Sequence, residues 1–270
     1  MTRILRFRGD SAMLFGPSLR ICFHLRSLAC AAGLVWCLAP LAARAEPDDQ
    51  TLDWSGQITL YAWGAGVGGN ITPVRGAPRL SFDESLTDIL ADLDAALFVT
   101  GFARRGSLVL FGDLSYSKSS RKGTVPPGVR ASGSLRQRAL TLAAGRRVLH
   151  GDTTVDLMAG LRAWWIEGEV RVPMAGVSTS PDRSLLDPIL ALRVNTQLAP
   201  RWSLLSYVDL GGFGVGSDLT WQVAVTANYE LNERLYLSAG YRHLVIDYAK
   251  NGTVFDAAMS GPLLGLTWRF

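Results

Sequence analysis

His150 and His243 are the histidines left once the basic leader described below is set aside, and general-base chemistry would have to start from one of them. His150 sits in a tight turn, His150-Gly151-Asp152. His243 shares one side of an alternating segment with Tyr241, Val245 and Asp247. A His/Asp pair suits peptide hydrolysis, but the sequence sets no second carboxylate pair beside it. Nor does it assemble a serine with a histidine for acyl-ester hydrolysis. A place in an aromatic girdle is the simpler expectation for His243. Glu167 and Glu169 share a face, as paired carboxylates would, yet solvated charge at a loop edge accounts for them. The glycine cluster from Gly211 to Gly216 is no phosphate cradle, because Ser217 breaks the register of GxGxxG. It is no calcium nonapeptide either, because Gly216 occupies the acid position. Cys22, Cys30 and Cys37 all fall in the first 45 residues, leaving the rest without a thiol, a disulfide or a cysteine metal site. No catalytic, cofactor-binding or metal-ligating residue is assigned, and the expectation is a protein that is not an enzyme and carries no cofactor.

The elements that would position any site follow from patterning. Arg3, Arg6, Arg8, Arg20 and Arg26 precede an uncharged run from Ser27 to Ala43, which ends in Ala43-Arg44-Ala45. Basic region, apolar run and A-x-A site together predict a cleaved export signal over residues 1–45. The run is shorter than the ~20 residues a spanning helix needs, and Pro40 breaks it. Residues 1–45 hold six of the 27 Lys/Arg and one of the 23 Asp/Glu, so residues 46–270 carry 21 basic against 22 acidic groups. The whole-chain pI of about 9.1 is therefore no argument for nucleic acid. With 48% hydrophobic residues and a mean hydropathy of +0.18, disorder is excluded.

After Ala45 the recurring signal is period two. Trp221, Val223, Val225, Ala227, Tyr229 and Leu231 alternate with Gln222, Ala224, Thr226, Asn228 and Glu230. Ten such segments are expected, at 55–66, 95–104, 107–118, 134–147, 153–168, 188–198, 202–215, 219–231, 234–248 and 254–270. Most reach or exceed the ~9–11 residues of a tilted spanning strand. Tight turns at 104–106, 150–152, 199–201 and 232–234 interleave with longer connections at 67–94, 119–133 and 169–187. Short turns on one rim and long loops on the other point to an antiparallel transmembrane up-and-down barrel of about ten strands. A soluble periplasmic β-sandwich alternates similarly, but aromatic residues at apolar strand ends such as Trp202, Trp221, Tyr229 and Trp268 favour membrane girdles.

The last strand reads Leu264, Leu266, Trp268 and Phe270 on one face, against Gly265, Thr267 and Arg269 on the other. It resembles the C-terminal strand that the outer-membrane barrel assembly machinery recognises. Together with FDESLTDILADLD, FARRGSLVLFGDLSY, DLGGFGVGSDLTWQ and MSGPLLGLTWRF, it makes residues 50–270 resemble the small proteobacterial outer-membrane β-barrels of the OmpA-transmembrane-domain and opacity-like kind, as part of an uncharacterised group. That resemblance implies architecture and a Gram-negative outer-membrane location. It transfers no catalytic motif, and the eight strands of OmpA-type barrels differ from the ten expected here.

With apolar faces turned to lipid, Asp113, Asp156, Asp209 and Glu230 point inward with Arg162, Arg193, Arg242 and Arg269, as an ion path or a paired network filling the lumen. In the first external loop an amphipathic helix is expected over 81–94, with Leu86, Ile89, Leu90 and Leu93 on one side and Ser81 and Glu84 as its capping box. It would plug the lumen or pack on the rim. Residues 114–138 hold Lys118, Arg121, Lys122, Arg130, Arg136 and Arg138 and no acid. Lys118, Arg121, Lys122 and Arg130 are candidate contacts for lipopolysaccharide phosphates, or else solvated surface. The expected role of residues 46–270 is structural, surface-interacting or porin-like. The rival class is a barrel enzyme acting on lipid or peptide.

Overall fold

The computed structural model describes residues 53–72, 80–125, 129–172, 177–179, 182–250 and 253–270. The export signal expected over 1–45 lies outside the described residues. Thirteen strands form one sheet: β1 (Ser55–Trp63), β2 (Gly66–Thr72), β3 (Leu80–Glu84), β4 (Leu93–Arg105), β5 (Leu108–Val125), β6 (Val129–Leu149), β7 (Thr153–Val172), β8 (Val177–Thr179), β9 (Asp182–Ala199), β10 (Trp202–Gly211), β11 (Leu219–Asn232), β12 (Leu235–Lys250) and β13 (Thr253–Arg269). A short helix, α1 (Leu86–Asp92), precedes β4. Ten strands run β1-β4-β5-β6-β7-β9-β10-β11-β12-β13, and β13 pairs antiparallel with β1. The sheet is closed into an antiparallel ten-stranded barrel, not divided into the two faces of a sandwich.

β1 and β2 are two halves of one stave, both paired with β13, with a break at Gly64-Ala65. There the Gly64 amide donates to the Pro262 carbonyl at 2.9 Å. A Cβ on Gly261 would stand 1.7 Å from the Gly64 carbonyl oxygen, so only glycine admits this approach. On its other edge β2 pairs antiparallel with β3.

Inward and outward positions alternate as period two requires. In β13 the outward Leu264, Leu266 and Trp268 are 61%, 46% and 53% exposed, whereas Leu263 and Thr267, at the alternate positions, are buried. In β7 Leu157 and Leu161 face out, and Asp156, Met158, Arg162 and Trp164 are buried within. Charge inside and leucine outside is the reverse of a water-soluble fold. Among the described residues no helix is long and apolar enough to cross a membrane, which says nothing about strands.

Several elements depart from the sequence expectation. The loop expected at 119–133 is mostly strand, since β5 and β6 pair as far as Val125 and Val129. The 67–94 loop contains the β2–β3 hairpin, and β7, β8 and β9 occupy much of 169–187. Hydrophobic alternation marks a strand only where one face is apolar, and Ser119-Ser120-Arg121-Lys122-Gly123-Thr124 is apolar at neither parity. β6 has 21 residues; beyond a spanning length it projects about ten residues, roughly 30 Å. The helix covers 86–92, not 81–94. Ser85 caps it, accepting from the Asp88 amide at 3.3 Å and donating to its carboxylate at 2.7 Å, because 80–84 is taken by pairing with β2. Ser81 and Glu84 thus lie in β3, and Leu93 opens β4.

Candidate functional site

The inward side chains build a brace across the lumen. Asp113 on β5 accepts from the Tyr61 hydroxyl at 2.7 Å and from Thr100 at 2.8 Å. Arg242 on β12 reaches Asp113 with Nη2 at 3.3 Å, Tyr61 with Nη1 at 2.6 Å and Gln222 with Nε at 3.0 Å. Gln222 donates onward to Asp209 at 2.6 Å. Asp209 holds both terminal nitrogens of Arg162, one at 3.0 Å, and Arg162 Nε donates to Thr141 at 3.0 Å. Eight of the ten staves are tied together. Two buried carboxylates meet two buried guanidiniums with their hydrogen bonds made, which is the condition under which burying charge is tolerated.

On the long-hairpin side of the brace the lumen is packed by Trp164, Leu244, Ile246 and Met259, with Trp63 and Phe255 against them. On the short-turn side lies a second charged layer. Asp156 receives Arg147 in a bidentate pair at 2.7 and 3.1 Å and Arg193 Nη1 at 3.1 Å. Arg193 also lies 4.0 Å from the centre of the Phe102 ring. Arg269 lies 3.7 Å from that of Tyr236, whose hydroxyl stands beside Glu230.

All eight residues expected in the lumen are there: Asp113, Asp156, Arg162, Arg193, Asp209 and Arg242 buried, Glu230 and Arg269 half-buried nearer the short-turn rim. Sequence reading missed Tyr61, Gln222, Arg147 and Asp187. Asp187 is fully buried and accepts from the Ser217 amide at 2.6 Å, holding the turn after β10 in which Phe213 takes a positive φ between Gly212 and Gly214. It stands one residue before the segment whose apolar alternation revealed the strand. Gln222 sat on the polar face of an identified strand, but nothing local marks which polar residues will meet.

The helix residues are distributed differently. Leu86 packs over Gly64, with Cδ1 3.0 Å from where a Cβ would be, and Ile89 and Leu93 are half-buried. α1 contacts β2 and β5, and none of its described side chains lines the two lumen chambers. The Leu90 side chain lies outside the described residues. Among the basic candidates, Lys118 Nζ stands 3.8 Å from Asp94. The side chains of Arg121, Lys122 and Arg130 lie outside the described residues, although their backbones form the β5–β6 hairpin. Arg136 and Arg138 both bind Glu167, which is thereby more than loose edge charge.

On the outer surface, Trp202 and Tyr229 pack with ring centres 4.9 Å apart near the short-turn rim. Trp221 and His243 do so at 4.9 Å toward the other side. His243 Nδ1 also hydrogen-bonds Ser260, its direct cross-strand neighbour, assembling the His–Ser contact that sequence did not. Above them Asp247 faces Asp256. Desolvation, then the Asp256 carboxyl beside it, pushes Asp247 above the usual carboxylate range.

No protein-family model matches the chain, and no curated protein matches it. Among solved structures, the outer membrane protease OmpT of Escherichia coli aligns over 83% of this chain and 98% of its own, with TM-score 0.50 and 12% identity. The fold is that of an outer-membrane β-barrel. Ail, the attachment invasion locus protein of Yersinia pestis, aligns over 81% of this chain and 99% of its own with TM-score 0.37 and 8% identity. For Neisserial surface protein A the figures are 80%, 97%, 0.33 and 10%. In this barrel an exposed apolar belt lies between the Trp202–Tyr229 and Trp221–His243 pairs, and the brace lies inside it.

Proposed function

We propose that residues 1–45 are a cleaved export signal and that residues 46–270 form a closed-lumen barrel in the Gram-negative outer membrane, with a structural and surface-interaction role. Membership of the OmpA-transmembrane and opacity-like group is part of this reading, as are lipopolysaccharide and the barrel assembly machinery as partners. The observation that carries it is the filling of the lumen: a charge-neutral brace with apolar packing above it gives a solute no path, while the β5–β6 and β7–β9 extensions project beyond the wall. That filling supports a surface role over a porin-like one. In planar bilayers the folded, heat-modifiable protein should give no defined conductance steps, and deletion of residues 85–92 should leave that unchanged. Regular single-channel steps from the parent protein would overturn the closed reading. Steps from the deletion alone would make α1 a plug.

The His243–Ser260 contact favours a second reading, a hydrolase acting on lipid esters at the outer surface. Imidazole beside a hydroxyl is the start of an activated nucleophile. The carboxylate on the same face of β12, Asp247, stands four residues away, roughly 13 Å along the strand, too far to orient the ring. A structural girdle pair is therefore the stronger account. Ester hydrolysis by detergent-solubilised protein should be at background for the parent and for Ser260→Ala alike. Turnover that Ser260→Ala abolishes would establish the enzyme.

A further inference from the structure

Between the brace and the short-turn rim the lumen is not packed solid. An inner chamber of about 110 Å³ lies under Asp113, Gln222 and Arg242, and an outer one of about 300 Å³ reaches the strand ends at Ser55, Arg104 and Thr154. The two share Gln57, Phe102, Arg193, Asn195 and Arg269 in their walls. Their chemistry is unlike that of the brace, where charges cancel. Arg104, Arg147, Arg193 and Arg269 line the outer chamber. Asp156 is shared between Arg147 and Arg193, and Glu230 stands by Arg269 across Tyr236. Arg104 donates to the Gly106 carbonyl at 3.1 Å. Four guanidiniums thus face two side-chain carboxylates. Two of the four stand over aromatic rings, Arg193 4.0 Å from the centre of Phe102 and Arg269 3.7 Å from that of Tyr236, and Arg193 also donates to Asp156 through Nη1. The inner chamber is mostly apolar, with Phe111 and Tyr207 stacked at 4.9 Å in its wall.

We propose that this vestibule binds an amphipathic organic anion, its carboxylate or phosphate head among Arg104, Arg147, Arg193 and Arg269 and its short apolar end against Phe111 and Tyr207. Low-dielectric walls focus the excess positive charge at the mouth, and a few polar groups around an apolar recess is the usual design of a small-molecule site. The site is distinct from the surface role above and independent of it, since binding is read on the isolated barrel. The apolar recess admits a chain of a few carbons, and the mouth selects the charge.

The test uses the protein refolded in a non-ionic detergent, with heat-modifiability as the check of folding. Titration calorimetry with hexanoate and hexyl phosphate should show saturable one-to-one binding. Hexanol and inorganic phosphate should each bind about tenfold more weakly or worse, because one lacks the charge-assisted hydrogen bonds and the other the apolar contact. The relative affinity of the two anions identifies the head group. Raising salt should weaken both. Arg104→Gln and Arg269→Gln should each reduce hexanoate affinity about three- to tenfold without changing the unfolding midpoint. Absence of saturable binding by either anion, hexanol binding as tightly as hexanoate, inorganic phosphate binding as tightly as hexyl phosphate, or unchanged affinity in both variants would each overturn the assignment.

Discussion

Asp209→Ala is expected to destabilise the folded barrel by about 3–5 kcal/mol, the cost of leaving one member of a buried ion pair without its partner. Asp209 and Arg162 are each 1% exposed, and Asp209 also accepts from Gln222. Its loss strands a guanidinium that still donates to the Thr141 hydroxyl and stands over the Trp164 ring, 6.0 Å from its centre. The double variant Asp209→Leu with Arg162→Met should recover much of the loss, because a pair replaced by apolar groups of similar volume leaves no charge to solvate. Urea unfolding followed by tryptophan fluorescence in liposomes measures both. If the double variant is as unstable as the sum of the singles, the pair is not what holds the centre of the barrel. Lys118→Gln is the contrast: that pair is about two-fifths exposed on each side, and its removal should cost ~0–1 kcal/mol.

Removing Phe270 is expected to lower the amount of assembled barrel in cells several-fold, by two mechanisms that a second variant separates. Its amide and carbonyl exchange hydrogen bonds with Gly56 at 2.9 and 2.8 Å, extending the β1–β13 seam that closes the sheet. Its ring lies where a Cβ on Gly56 would be, 2.6 Å from Cε2, and it is 68% exposed. Phe270→Ala keeps both backbone bonds, each contributing about 0.5–1.5 kcal/mol, and loses only the ring. If the ring is the assembly mark, Phe270→Ala should assemble as poorly in cells as the deletion while refolding in detergent like the parent. Equal yields of Phe270→Ala and parent in cells would place the whole effect in the seam.

What was legible in the sequence was whatever is local. Period two assigns each side chain of a strand to one face without reference to any other strand, so the eight lumen charges and the outward Leu264, Leu266, Trp268 and Phe270 followed from counting. Where neither parity of the sequence is apolar the count has no signal, and residues 119–125 and 129–133 pair as strand although a loop is expected there. The helix was visible by its i, i+4 leucines, but its start moved from Ser81 to Ser85 because β3 claims residues 80–84 for β2.

Partnership across the lumen is another matter. Arg162 stands directly opposite Asp187 on the neighbouring strand, yet its guanidinium closes on Asp209, one strand further away. Arg242 meets Asp113 across 129 residues of chain, and His243 meets Ser260 only through the register of β12 on β13. The sequence by itself determined that four acids and four arginines, Asp113, Asp156, Asp209 and Glu230 with Arg162, Arg193, Arg242 and Arg269, face inward. Only the closed tertiary structure decided which of them pair, and that the unbalanced arginines gather at one mouth. The reason is physical: facing is set by the dihedral repeat of one strand, whereas pairing is set by the stagger and tilt with which ten strands close.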